Sequence, residues 1–215
     1  MFKPSLEEVK KLAKTYNKIP ICLEMYMDFQ TPIAVLSRIK DEYDRYFLLE
    51  SIEGGEKLAR YTFIGANPSG SFYVKDGKSF FATRETIKRF EGNPLDVLKE
   101  LMGSYSAPKL KDFPPLTGGA VGYFGYDMVR YVEKIPMTNK DELGAADIKL
   151  MFFNDIIAFD HLKQKIFLIT NVDGKAEDLE EAYDGAKTHL KELMEFISRP
   201  TKRRVVQFEE DIEFE

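Results

Sequence analysis

The stretch FLLESIEGGEKLARYTFIG, residues 47–65, sets an acid beside a hydroxyl where an apolar strand stops. It then returns across two glycines to a second apolar strand that carries Arg60 at its start. A carboxylate and a hydroxyl at the mouth of a strand suit an ammonium group, and a charge-assisted hydrogen bond contributes roughly 1.5–3 kcal/mol. Glu50 and Ser51 would take the amine. Lys57, Arg60 or backbone amides would take a matching carboxylate, and Leu48, Leu49 and Phe63 would wall a side chain. That combination describes a site for a free amino acid. The same residues also make an ordinary hairpin with a wide turn at Gly54-Gly55, in which Glu50 and Ser51 are solvated and Arg60 pairs with a carboxylate elsewhere. Spacing alone favours the plainer hairpin.

A second stretch, GGAVGYFGYD at residues 118–127, is rich in glycine without being a nucleotide loop. No Gly-Lys-Ser/Thr follows it, and its glycines do not fall in the dinucleotide pattern. Glycine within a strand marks a bulge or a close approach by another backbone or a ligand. The plain expectation is a tightly crossed core strand, with Asp127 and Arg130 joined as a local helical pair. No catalytic set emerges beside these stretches. There is no supported Ser/His/Asp arrangement and no metalloprotease motif. His161 falls in a predicted turn and His189 on a predicted helix. Cys22 lies among apolar neighbours and reads as core. Two histidines and one cysteine make a Cys/His metal cage improbable.

The elements that must position these residues are legible from caps and periodicity. Ser5 and Glu8 form a capping box ahead of Leu6, Val9, Leu12, Ala13 and Tyr16, which predicts a helix over 5–16. Ile19, Ile21, Leu23 and Met25 alternate as a strand. Thr31-Pro32 and Asn93-Pro94 start two more helices, one running to about residue 40 and the other ending near Gly103. Residues 47–51 and 61–66 are short strands, and Asp76-Gly77 marks a hairpin. Three prolines make 106–116 a loop. Residues 148–160 and 165–172 predict one long apolar hairpin across HLKQ, and 176–198 carry an apolar helical stripe. Hairpins dominate and no regular βαβ alternation occurs. The expected class is therefore α+β, with mainly antiparallel β-sheets and packed helices.

Composition bounds the rest. The 215 residues include 17 Phe and 11 Tyr but no Trp, enough bulk for a real core. A net charge of −5 argues against a nucleic-acid partner, which would meet a basic surface. With one cysteine, no disulfide framework is possible within the chain, which fits a reducing, cytoplasmic location. No apolar run is long enough to span a membrane as a helix.

TPIAVLSRI at 31–39, FLLES…ARYTFIG at 47–65 and GGAVGYFGYDMVRY at 118–131 occur in that order, with NPLDVLKEL between the last two. The set resembles the N-terminal region of the large subunit of anthranilate synthase, over about 20–200. The resemblance implies a subunit that converts chorismate, with ammonia or glutamine nitrogen, to anthranilate and pyruvate. Its partner would be a glutamine amidotransferase. It implies that chorismate and Mg²⁺ bind in a C-terminal domain. The LLES element of the N-terminal region would hold the feedback inhibitor L-tryptophan. Leu49, Glu50 and Ser51 match that element directly, and Lys57, Arg60 and Tyr61 are its neighbours. Residues 1–200 are then expected to form the regulatory domain. Residues 201–215, with the basic run Lys202, Arg203 and Arg204, read as a linker toward a chorismate-binding domain not contained in this chain. On this expectation the 215 residues carry no catalytic or metal-binding residue of their own. The same layout fits the related aminodeoxychorismate enzyme, and a self-associating fragment is the alternative from a different class.

Overall fold

A computed structural model describes residues 2–28, 30–50, 60–136 and 141–200. The chain builds four layers from eleven strands and four α-helices among the described residues: helices, a six-stranded sheet, a five-stranded sheet, and one helix beyond it. Every strand pair is antiparallel, as expected for the class.

The six-stranded sheet comprises β1 (Phe2–Lys3), β2 (Lys18–Tyr26), β3 (Tyr46–Glu50), β4 (Tyr61–Ala66), β10 (Ile156–Asp160) and β11 (Lys165–Asp173). They lie in the order β1-β2-β11-β10-β4-β3. The five-stranded sheet contains β5 (Gly70–Lys75), β6 (Lys78–Ala82), β7 (Ile87–Phe90), β8 (Gly119–Phe124) and β9 (Ile148–Phe153), in the order β7-β6-β5-β9-β8. Helices α1 (Leu6–Leu12), α2 (Pro32–Glu42) and α4 (Leu179–Ser198) cover the outer face of the first sheet, and α3 (Pro94–Gly103) covers the second.

Strand alternation assigns each side chain its layer. Ile19, Ile21 and Leu23 of β2, Ile157 and Phe159 of β10, and Ile166 and Leu168 of β11 meet Val9, Val35, Ile39 and Leu190 of the helices. Their neighbours Cys22, Ile156, Ala158, Phe167 and Ile169 face the other sheet and pack with Phe47 and Phe153. The third core joins Phe72, Val74, Ile148, Leu150 and Phe152 to Val97 and Leu98 of α3. The middle strands of the six-stranded sheet are thus covered on both faces, so they read as continuous apolar runs instead of alternating ones.

The helix starts follow from local chemistry. The Ser5 hydroxyl accepts from the Glu8 amide while the Glu8 carboxylate accepts from the Ser5 amide. Thr31, Asn93 and Asp178 cap the other three through side-chain oxygens. Helix α1 stops one turn earlier than its apolar spacing suggests.

Two expectations are corrected. Residues 148–160 are not one arm of a hairpin. Asn154-Asp155 interrupts them, β9 belongs to one sheet and β10 to the other, and only β10 pairs with β11. The Asp155 carboxylate accepts from Thr170 at 2.6 Å and pairs with His189 at 2.8 Å, so the break is anchored to β11 and α4. The glycine-rich strand β8 is an edge, half exposed, and not a core strand. Its close approach is real: a Cβ on Gly122 would lie 1.9 Å from the Lys149 carbonyl oxygen. The chain also forms β7, a short charged edge that carries no alternation to announce it. Residues 201–215, read as a linker, lie outside the described residues.

Candidate functional site

The polar end of β3 and β4 is built by register. Leu49 lies opposite Phe63 and Glu50 opposite Thr62. Phe47 points to the sheet interface and Leu48 to the helices, so Leu49 shares the interface side and Glu50 the helix side. Both Leu49 and Glu50 are exposed where the strand gives out. Ser51 and Lys57 lie outside the described residues.

Arg60 finds the carboxylate that the plainer hairpin reading required. Its Nε donates to Asp160 Oδ1 at 3.0 Å and its Nη2 to Oδ2 at 2.6 Å, a bidentate fork. The Asp160 side chain is fully buried at the end of β10. Its Oδ1 also accepts from the amides of Leu162 and Lys163, closing the HLKQ turn. Burial alone would raise the Asp160 carboxyl; the Arg60 guanidinium and the two turn amides outweigh it and hold the group below the usual carboxylate range. The guanidinium also lies 4.8 Å from the Tyr61 ring centroid, and Tyr61 stacks on Phe63 at 5.7 Å. Leu49, Tyr61 and Phe63 therefore form one flat apolar wall, with Arg60 as a post behind it.

A second ionic group stands on the same face at β2, with β11 and β10 between it and this wall. Glu24 bridges Lys3 at 3.1 Å and Lys165 at 3.0 Å. Burial pushes its carboxyl up, but the two lysines overcome that and leave it below its ordinary value. On the helix side, Thr62 Oγ1 and His161 Nε2 are hydrogen-bonded at 2.8 Å. Sequence reasoning missed Asp160 and Glu24. Asp160 carried a local signal, an acid two and three residues before free turn amides. Glu24 carried only its parity with Cys22 on β2.

The glycine-rich stretch leads elsewhere. After β8, a 3-10 helix at Tyr126–Tyr131 joins Asp127 to Arg130 as expected, with Arg130 Nε 3.0 Å from Asp127 Oδ1. A cavity of about 420 Å³ lies beside it, lined in part by Lys75, Tyr123, Arg130, Tyr131 and Asp147. Tyr131 donates to Asp147, and burial together with that carboxylate pushes its hydroxyl up to about 12. Lys75 pairs with Asp141 and Arg130 with Asp127, while Asp76 and Asp147 leave the lining net acidic. Cys22 is buried, which pushes its thiol up to about 12, so it is no nucleophile at neutral pH.

Among the described residues no three His, Cys, Asp or Glu side chains converge as a metal site. No described helix is long and apolar enough to cross a membrane.

Comparison with known proteins gives one consistent result. A family model described as chorismate binding enzyme matches residues 44–214. Anthranilate synthase component 1 of Acetivibrio thermocellus is 42% identical over 194 residues, which is 90% of this chain and 39% of that protein. The Pseudomonas aeruginosa protein of the same name is 39% identical over 209 residues, 94% of this chain and 42% of its own length. The crystal structure of anthranilate synthase component I from Streptococcus pneumoniae superposes with a TM-score of 0.53 at 24% identity, covering 82% of this chain and 37% of that one. That last likeness speaks to the fold alone. The chain spans about two fifths of the length of these curated relatives.

Proposed function

The chain belongs to the chorismate binding enzyme family, and from that premise we propose that it is the N-terminal regulatory part of an anthranilate synthase component I, with the polar end of β3 as one wall of a site for L-tryptophan. The whole subunit would convert chorismate to anthranilate and pyruvate in the cytoplasm, with nitrogen from ammonia or from a glutamine amidotransferase partner. Chorismate and Mg²⁺ would be held by the part of the relatives' length that these 215 residues do not span.

One observation carries this reading: similarity to anthranilate synthase component 1 runs through nine-tenths of the chain. The chemistry at the strand end supports it. Glu50 and Ser51 would bind the amine, and Lys57 the carboxylate. Leu49 and Tyr61, with Phe63, would face the indole. Arg60 is committed to Asp160 and would act as a positioning residue, holding Tyr61 in place without touching the ligand. Tryptophan bound there would shift the subunit toward a state with poor chorismate affinity. Such couplings are reciprocal and amount to about 1–3 kcal/mol.

The test uses the subunit at the relatives' full length. Ser51→Phe should raise the tryptophan concentration for half-inhibition about tenfold or more and leave uninhibited turnover unchanged. Inhibition identical to wild type refutes the site. Identifying the product separates anthranilate from aminodeoxychorismate.

Self-association is a second reading with its own observation. Tyr123, Phe124 and Tyr126 are exposed on and just after the edge strand β8. Exposed apolar patches of this kind mark interfaces. A monomer mass by light scattering throughout the micromolar range would remove it.

A further inference from the structure

The end of the sandwich remote from Glu50 holds a cavity that the proposed regulatory site does not use. It has a volume of about 190 Å³ and lies between the start of β2, the turn after α3, and the entry to β8. Its lining includes Lys18, Met102, Tyr105, Gly118, Gly119 and Phe152. Four features of its construction specify a ligand.

The wall is aromatic and fixed. The Tyr105 and Phe152 rings lie 5.7 Å apart. The turn that carries Tyr105 is clamped to β2. The Asn17 side chain donates to the Ser104 carbonyl at 2.5 Å and accepts from the Ser106 amide at 2.8 Å. The Asn17 and Lys18 amides both donate to the Ser106 carbonyl at 3.0 Å.

The floor is bare backbone. Gly119 has φ +117°, and the space where a Cβ would stand is open. At Gly118 a Cβ would come within 2.5 Å of Asn171 Nδ2, the nitrogen that ties the Thr117 and Asn154 carbonyls at 2.7 and 2.9 Å. These two glycines are the part of the glycine-rich motif that the regulatory reading leaves unexplained.

The charge is one-sided. Lys18 Nζ lies 5.9 Å from the Tyr105 ring centroid and has no carboxylate partner among the described residues. Among the described residues no acid lines the cavity, and Asp173, opposite Lys18 in the β2–β11 register, accepts from the Lys175 amide. In a chain of net charge −5, a cavity with one cation and no acid is locally selective for an anion.

The size admits one ring. Pockets for drug-sized ligands run about 300–1,000 Å³, and this one is smaller. We propose that the cavity is a binding site for a small single-ring aromatic carboxylate, with the carboxylate at Lys18 and the ring between Tyr105 and the glycine floor. This inference stands apart from the tryptophan reading and does not need it.

Sodium benzoate is the probe, titrated into the protein by calorimetry and by backbone amide NMR. Saturable binding at low millimolar concentration or tighter is expected, with the Tyr105, Gly118 and Gly119 amides shifting most. Lys18→Met keeps the apolar stem and removes the charge, and should weaken binding about tenfold or more at unchanged melting temperature. Benzyl alcohol, which keeps the ring without the charge, should bind about tenfold more weakly than benzoate or worse. Ala107 lines the cavity and is itself exposed, so Ala107→Trp should block it without unfolding the chain. Equal affinity of wild type and Lys18→Met overturns the proposal. So do amide shifts centred on Glu50 and Tyr61, or no saturation up to about 20 mM.

Discussion

At one end of the six-stranded sheet, Arg60 answers Asp160 and Lys3 and Lys165 answer Glu24. At the other, Lys18 faces an aromatic ring and a cavity with no acid among its described lining residues. Both ends are strand termini, where alternation stops directing side chains into a core. They differ in where the chain turns. At the Arg60 end the turn after β10 brings its own acid, and Asp160 serves fork and turn amides together. At the Lys18 end the chain crosses between sheets, and the carbonyls left by the crossing are met by a neutral amide, Asn171. A satisfied ionic end gives rigidity. At the crossing the one acid, Asp155, is taken by Thr170 and His189, which leaves Lys18 free to recruit something else.

Substitutions should separate the two ends by size and by pH. Asp160→Ala is expected to cost most, about 2–4 kcal/mol, because it strands a partly buried guanidinium and two turn amides. Urea denaturation at neutral pH checks this, and a loss under about 1 kcal/mol would dissolve the contrast. The depressed Asp160 carboxyl contributes its stability above the unfolded carboxylate value, near pH 4, and loses it as pH falls through the folded value. The gap between wild type and Asp160→Ala should therefore close on acidification below about pH 4.

Asn171→Ala removes two neutral hydrogen bonds at the crossing and should cost about 1–2 kcal/mol. Since no charge is involved, the loss should hold constant from about pH 5 to 9 and be insensitive to salt. A strong salt dependence would mean that Asn171 acts through the neighbouring Asp155–His189 pair and not through its two carbonyls.

The smallest effect belongs to His189, half exposed on α4. Its pairing with Asp155 raises the imidazole pKa despite a desolvation penalty. A raised pKa means the contribution is complete below about pH 6.5 and fades as pH rises through the folded value. His189→Ala should cost about 0.5–1 kcal/mol at pH 5.5 and less at pH 8.5, read from denaturation midpoints at both. An equal cost at the two pH values would show that packing alone holds α4 there.

How much could be read in advance depended on distance along the chain. Ser5 with Glu8, Thr31 with Pro32, and Asn93 with Pro94 act within a few residues, so the helix starts were legible. Asp76-Gly77 announced its hairpin for the same reason. The split of 148–160 between two sheets was not, because strands covered on both faces lose the alternation that reveals a register, and Asn154-Asp155 looked like a flaw in one strand. Glu50 was legible as an acid at a strand end, but the side it shares with Thr62 follows from pairing. Ser51 and Lys57 belong to the same expectation and lie outside the described residues.

By itself the order of residues decided the class, the caps, the turns and the family, because each rests on neighbours or on ordered motifs. It also showed that Arg60 would need an acid. Which acid, 100 positions away, was a matter for the tertiary structure alone. So was the cavity between Lys18, Tyr105 and Gly119, whose walls come from elements that meet only when the sheets stack. Side-chain chemistry is written along the chain, but the distance between two charges exists only after folding.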